Sequence, residues 1–68
     1  MDEGTLQQEI RKFLRTFGVR ANQEMADAIE RARSEGRLDA SHPIGVRARV
    51  EMEGLDDEIV VEGSLELE

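Results

Sequence analysis

The apolar residues of this chain follow two different spacings, one on each side of Pro43. Before Pro43 they recur every three or four positions, which is the spacing of one face of a helix. After it they alternate with polar residues, which is the spacing of a half-buried strand. The pattern predicts an α+β protein of ααββ order, with two helices followed by an antiparallel β-hairpin.

The first predicted helix covers residues 6–17. Thr5 and Gln8 fit a capping box at its start, in which both side chains satisfy exposed backbone amides. Gly18 supplies a residue that adopts the left-handed conformation easily, and is therefore expected to end the helix. The apolar stripe of this helix consists of Leu6, Ile10, Phe13, Leu14 and Phe17.

The second predicted helix covers residues 23–35. Asn22 is a favourable N-cap residue, and Gly36 is expected to end this helix as Gly18 ends the first. The connection between the helices is short enough to require an αα-hairpin or a crossed pair. The narrower apolar stripe of this helix consists of Met25, Ala28, Ile29 and Ala32.

The C-terminal part is predicted to form two strands, residues 44–53 and 58–67, joined by a turn over residues 54–57. Pairing Glu53 with Glu58 places the apolar residues of both strands on one face, and a slip of one residue would reverse every side chain. The pairs on that face are Met52–Ile59, Val50–Val61, Ala48–Gly63 and Val46–Leu65. The same register places Arg49 opposite Glu62, a favourable cross-strand contact. The helical stripes are expected to pack on this face in two layers.

Composition narrows the possible functions. The 68 residues form one predicted domain, residues 1–68, and contain no Cys, Trp or Tyr, so disulfides and aromatic stacking platforms are not expected. Residues 1–38 carry seven basic and seven acidic side chains, and residues 39–68 carry two and nine, so the net charge of −7 lies in the second half. Such a charge disfavours binding to nucleic acids and to anionic membranes, and it favours binding to basic partners. A cytoplasmic location is expected.

Several short segments resemble a family of short bacterial single-domain proteins that is known only as a domain of unknown function. They are Met1-Asp2-Glu3, Ile10-Arg11-Lys12-Phe13-Leu14, Gly18-Val19, Gly36-Arg37-Leu38, Ala48-Arg49-Val50 and Glu62-Gly63. The resemblance spans essentially the whole chain. It implies the same helix-helix-hairpin architecture and a bacterial, stand-alone protein, and it implies no activity, cofactor or binding residue.

Three groups of residues are candidates for a chemical site. His42 with Asp39 supplies two metal ligands, fewer than the three or four that zinc sites use. The acidic residues around Gly54 lack the regular ligand spacing of a calcium-binding loop, and the hydroxyl residues lack an evident base. These two sets are Glu53, Asp56, Asp57 and Glu58, and Thr5, Thr16, Ser34, Ser41 and Ser64. The sequence therefore predicts no catalytic residue, no cofactor and no metal site.

Two surfaces could bind a protein partner. The hairpin has two unpaired outer edges, which can pair with another strand, although the acidic run Glu58, Glu62, Glu66 and Glu68 opposes this. The cations Arg11, Lys12 and Arg15 could bind an acidic partner. The predicted function is a non-enzymatic interaction module, an adaptor or regulatory subunit, that binds an unknown protein or self-associates at a hairpin edge.

The alternative function is a winged-helix-like nucleic-acid binder, with the second helix and its residues Arg31, Arg33 and Arg37 as the recognition element. The acidic start of that helix and the acidic hairpin disfavour it. The terminal Leu67-Glu68 is either the native end of the second strand or an addition from cloning.

Overall fold

The structure is a computed structural model and describes residues 2–68. It contains one helix, α1 (Glu3–Ser34), and two strands, β1 (Ile44–Glu51) and β2 (Glu58–Leu65). The chain forms two compact units, one ending at Leu38 and the other beginning at Asp39. The α+β composition is as predicted, but the two predicted helices are a single helix of 32 residues.

The predicted break between the helices is wrong because Gly18 does not adopt the left-handed conformation. Among residues 2–68, positive φ angles occur at Gly36 and Gly54. Gly18 is therefore an ordinary helical residue, and its cost of about 1 kcal/mol relative to alanine is tolerated. Asn22, predicted as an N-cap, likewise lies inside α1.

The helix begins earlier than predicted, and Asp2 caps it. The Asp2 carboxylate accepts a hydrogen bond from the Gly4 amide at 2.9 Å, and the Thr5 hydroxyl donates to its other oxygen at 3.2 Å. Thr5 therefore lies in the first turn of the helix and is not the N-cap. Glu3 adds negative charge in the first turn, which the positive end of the helix dipole favours.

The predicted end of the helix at Gly36 is confirmed. Gly36 has a φ of 73°, and its amide donates to the Arg33 carbonyl at 3.1 Å. The Arg37 amide donates to the Ala32 carbonyl at 2.9 Å. These two bonds form a Schellman motif, which satisfies carbonyl groups at the helix end.

The two strands pair antiparallel in a register shifted by two residues from the predicted one. Val50 lies opposite Ile59 instead of Val61. The first strand ends at Glu51, and the second begins at Glu58. Because the shift is an even number, the apolar residues keep their shared face. That face consists of Ile44, Val46, Ala48 and Val50 opposite Leu65, Gly63, Val61 and Ile59.

The turn chemistry explains the shift. Gly54 has a φ of 77°, and the Leu55 amide donates to the Met52 carbonyl at 3.2 Å. The tight turn therefore runs from Met52 to Leu55, with glycine at its third position, where a positive φ is needed. This turn withdraws Met52 and Glu53 from the strand in which they were predicted.

Neither unit has a buried core of its own. No residue of α1 is buried. In the hairpin, the inward positions of β1 are half-buried and alternate with exposed ones, and Ile59 and Val61 of β2 are exposed. The apolar surfaces of both units are therefore available for further contacts.

Replacing Gly18 with alanine should test the continuity of α1. A Cβ at Gly18 would meet no heavy atom within 4 Å, so Gly18→Ala should raise the free energy of unfolding by up to about 1 kcal/mol. Gly36→Ala is the matched control and should lower it by a similar amount, because alanine is strained at positive φ. Urea unfolding followed by circular dichroism measures both free energies. A Gly18→Ala variant less stable than the wild type would instead support a helix break at Gly18.

The register should be visible in cross-strand nuclear Overhauser effects. The structure pairs Gly63 with Val46 and Ile59 with Val50. Backbone proton contacts are therefore expected between these residues, since paired Cα atoms lie about 4.5–5.5 Å apart in an antiparallel ladder. Contacts of Gly63 with Ala48 and of Ile59 with Met52 would instead support the register with the four-residue loop.

Candidate interaction surface

The apolar residues of α1 form one unbroken stripe along its whole length. Successive members are separated by four, four and three positions, an eleven-residue repeat that corresponds to about 3.67 residues per turn. This value is close to that of a straight helix, so the stripe drifts only slowly around the helix. We call it the α1 stripe: Leu6, Ile10, Leu14, Phe17, Ala21, Met25, Ala28 and Ala32.

Large side chains on this face of α1 are substantially exposed. Phe13, which flanks the stripe, is 56% exposed, and Leu14 is 49% exposed. The other large members lie between 38% for Met25 and 43% for Ile10. The rings of Phe13 and Phe17 stack with centroids 6.4 Å apart, which makes a continuous aromatic surface. Exposed apolar patches of this kind typically mark sites of interaction.

The stripe is bulky in its N-terminal half and shallow in its C-terminal half. Beyond Phe17, its members are alanines except for Met25, and Ile29 of the second predicted stripe flanks it on the side away from Phe13. A groove on the helix surface lies where the two halves meet. Its apolar lining consists of Phe13, Phe17, Ala21, Met25 and Ala28. The surface thus offers both a protruding part and a recessed part.

Ion pairs hold several charged side chains along the helix surface. Arg20 donates from Nε to Glu24 Oε2 at 2.6 Å, across the predicted break, and this contact raises the pKa of Arg20. Arg33 donates two hydrogen bonds to Glu30, one of them from Nε at 3.0 Å, and they lower the pKa of the Glu30 carboxyl. Both pairs are well exposed, so each contributes little to stability.

The three cations proposed as a docking surface lie in the middle of α1. Arg11, Lys12 and Arg15 would lie near the C-terminus of the predicted first helix, which ends at residue 17, but α1 ends at Ser34, about five turns or more beyond them. The helix dipole therefore does not account for them, since its effect is confined to the last turn. None of the three makes an ion pair with another described residue.

The hairpin carries its cross-strand ion pairs on the face opposite the apolar one. Arg47 lies directly opposite Glu62, with 3.3 Å between Nη2 and Oε2. Arg49 reaches diagonally to Glu58, with 3.2 Å between Nε and Oε1. The predicted pairing of Arg49 with Glu62 is wrong, because the two-residue shift moves Arg47 into that position. Two of the glutamates expected to repel another strand are therefore partly neutralised.

The loop before the hairpin brings together Asp39, Ser41 and His42. Asp39 Oδ1 accepts hydrogen bonds from the Ser41 amide at 3.0 Å and the Ser41 hydroxyl at 2.6 Å. Asp39 Oδ2 lies 2.8 Å from His42 Nδ1, and the His42 amide donates to the Asp39 carbonyl at 3.2 Å. The carboxylate thus organises a local turn of the kind that aspartate favours.

This loop has the residue types of a catalytic triad in a different arrangement. A triad uses the two imidazole nitrogens on opposite sides, one toward the acid and one toward the nucleophile. Here Ser41 Oγ and Asp39 both approach Nδ1 of His42, the former at 3.2 Å. The serine proton is directed to the carboxylate, and all three residues are exposed. The contacts therefore order the loop and do not activate the hydroxyl.

The remaining acidic residues and cations are spread over the exposed surface. Among residues 2–68, no three His, Asp or Glu side chains are grouped so that they could hold a metal ion together. The acidic residues of the hairpin loop, Glu53, Asp56 and Asp57, are exposed, as is Glu58 at the start of β2.

The three arginines of the predicted recognition helix lie at or just after the end of α1. Arg31 and Arg33 lie in the last turn of α1, and Arg37 pairs with Glu35 at 2.6 Å. No helix in the described part of the chain is long and apolar enough to cross a membrane.

Ala21 is the residue that sequence reasoning missed. It lies four positions after Phe17 and four before Met25, so it joins the two predicted stripes into one. The signal was present in the spacing, but alanine is weakly apolar and the adjacent Gly18 and Asn22 indicated a break.

The Asp39 carboxyl should titrate below its ordinary value. Hydrogen bonds from the Ser41 hydroxyl and amide, and then from His42, lower the pKa of Asp39. The stabilisation that these contacts contribute is fully present above the ordinary carboxyl pKa and is lost as the pH falls through the lowered pKa. In an NMR titration of the side-chain carboxyl carbons, Ser41→Ala should move the pKa of Asp39 upward, whereas Ser64→Ala should not. An unchanged Asp39 pKa in Ser41→Ala would contradict the loop geometry.

The model of a family of unknown function, DUF6494, matches residues 1–68, which is the full length of the chain. The resemblance to a domain of unknown function, drawn from segments such as Gly36-Arg37-Leu38, is therefore confirmed. Comparisons with curated proteins and with solved structures found no match. Family membership is thus established without an activity attached to it. The chain belongs to the DUF6494 family of unknown function.

Proposed function

We propose that this protein is a non-enzymatic protein–protein interaction module, an adaptor or regulatory subunit, that binds its partner through the α1 stripe. The observation that carries the proposal is the exposure of the large side chains of this stripe, from Leu6 to Met25, on a 32-residue helix that has no buried residue. Amphipathic helices commonly bind by burying an apolar face of this spacing against a partner.

The exposed apolar surface is large enough to support binding. Six large side chains on or beside the stripe are on average slightly less than half exposed: Leu6, Ile10, Phe13, Leu14, Phe17 and Met25. If each full side chain offers about 180 Å², covering them removes about 500 Å² from water. At about 25 cal/mol per Å², this contributes on the order of 12 kcal/mol before the costs of association.

The winged-helix alternative loses the element on which it depended. That function needs a separate recognition helix beginning near Asn22, and no helix begins there. Arg31, Arg33 and Arg37 lie at the end of α1, where Arg33 and Arg37 already pair with Glu30 and Glu35. The acidic hairpin adds repulsion toward phosphates. A setting in the bacterial cytoplasm remains part of the proposal.

Binding should depend on Phe17 and not on an equally apolar residue off the stripe. Phe17→Gln removes a central apolar contact while keeping a good helix former, so capture of partner protein should fall at least tenfold. Val19→Gln is the matched control, because Val19 is 69% exposed on another face of α1. The measurement is affinity capture from cell extract with quantitative mass spectrometry, counting a second copy of the chain as a partner. Equal capture by wild type and Phe17→Gln would overturn the proposed surface.

A further inference from the structure

We infer that the partner of the α1 stripe is a second copy of this chain, with the two α1 helices packed antiparallel and Phe17 of each beside Ala21 of the other. The inference rests on the proposed function and specifies its partner. Four properties of the described residues support it: the length of the stripe, its distribution of side-chain sizes, its charges and its area.

Length favours another α1 helix as the occupant. From Leu6 to Ala32 the stripe extends over about 39 Å at 1.5 Å per residue. The eight-residue strands of the hairpin reach about 26 Å, so the apolar face of a hairpin matches at most two thirds of the stripe. A second α1 matches all of it and repeats the same eleven-residue spacing, which lets two helices remain in contact along their length.

Side-chain size selects the antiparallel orientation. Phe17 beside Ala21 of the second copy places Ile10 beside Ala28 and Leu6 beside Ala32. Three bulky residues of one helix then meet alanines of the other, which favours close packing, and Phe13 of one lies beside Met25 of the other. A parallel pair would instead crowd Phe13, Leu14 and Phe17 against their own copies and leave gaps along the alanines.

Charge favours contact through α1 over contact through the hairpin. Residues 1–38 carry equal numbers of acidic and basic side chains, whereas residues 39–68 carry nine acidic and two basic ones. Joining two hairpin edges would bring two strands of net negative charge together, which like-charge repulsion opposes. Joining two α1 helices places nearly neutral surfaces at the contact.

One charged pair also fits the antiparallel orientation. Glu9 and Arg31 flank the stripe on the same side of the helix, and neither has an ion-pair partner among residues 2–68. In an antiparallel pair, flanking residues on the same side of the two helices face each other, as charged residues beside a coiled-coil seam do. Glu9 of one copy then lies near Arg31 of the other, and the symmetry of the dimer makes this contact twice.

The area agrees with that of a specific dimer. About 500 Å² of large apolar side-chain surface on each copy, doubled across a symmetric contact, gives about 1,000 Å², which is the lower bound for a specific interface. The alanines of the stripe and the stems of flanking residues add to this value. The contact is isologous, since the same surface serves both copies.

Analytical ultracentrifugation of the purified protein over a dilution series tests the dimer. The wild type and Val19→Gln should sediment as dimers, and Phe17→Gln should weaken dimerisation at least a hundredfold. Circular dichroism recorded in parallel shows whether Phe17→Gln still contains helix. Ala21→Leu is a second variant that keeps the apolar character but fills the recess, and it should also weaken the dimer.

The outcomes separate this inference from the proposed function. A wild type that is monomeric at every concentration overturns the second copy as partner, and the proposed function survives only if capture of another protein depends on Phe17. A dimer that persists equally in Phe17→Gln overturns the α1 contact and supports the hairpin edge. A monomer whose hairpin signals in NMR change in Phe17→Gln assigns the stripe to the chain's own hairpin and overturns both.

Spin labels test the antiparallel orientation, and the absence of cysteine allows a single label at each chosen position. Gln8 and Gln23 are both exposed and lie off the stripe. In the antiparallel dimer the two copies of residue 8 are displaced along the axis by about 33 Å and those of residue 23 by about 12 Å. Pulsed electron paramagnetic resonance should therefore give a longer distance between the two spin labels of the dimer for Gln8→Cys than for Gln23→Cys. Equal distances at both positions would indicate a parallel pair and overturn the orientation.

Discussion

The stability of α1 depends on whether its exposed apolar stripe is buried against another surface. A helix that is not packed against another element gains little stability from its sequence alone, because most helical stability in proteins comes from burying an amphipathic face. The capped ends of α1 contribute: Asp2 satisfies amides at the start, and the bonds around Gly36 satisfy carbonyls at the end. Each cap contributes about 1 kcal/mol, so the caps mainly set where the helix begins and ends, and the proposed burial of the stripe would add more stability than the caps do.

The helix boundaries show where local signals are sufficient and where they are not. Gly36 and Gly18 look alike in sequence, since each follows a run of apolar periodicity. After Gly36 the periodicity ends and Pro43 follows, whereas after Gly18 the stripe continues through Ala21 and Met25. A glycine inside a helix costs about 1 kcal/mol. Ending and restarting the helix would lose intrahelical hydrogen bonds and require two new caps, so the continuous helix is favoured.

In the hairpin, the pattern predicted the faces and the turn decided the register. Alternation assigns each residue to one face, and any even shift preserves that assignment. The sequence therefore predicted that Val46, Ala48 and Val50 share an apolar face, which the structure confirms. It could not distinguish a four-residue loop from a six-residue one, because both keep the same parity. The loop length depends on the turn from Met52 to Leu55, in which Gly54 adopts a positive φ. Alternation does not encode this backbone property.

The distribution of charge gives the two units different roles. Residues 39–68 hold the whole net charge of −7, and the glutamates of the hairpin are paired only in part, with Arg47 and Arg49. An acidic, exposed pair of strands resists pairing with other strands and maintains solubility. Residues 1–38 carry no net charge, so a partner meets less repulsion at the α1 stripe than at the hairpin. The same charge separation therefore supports the proposal that association occurs at α1 and not at the open edges of the hairpin.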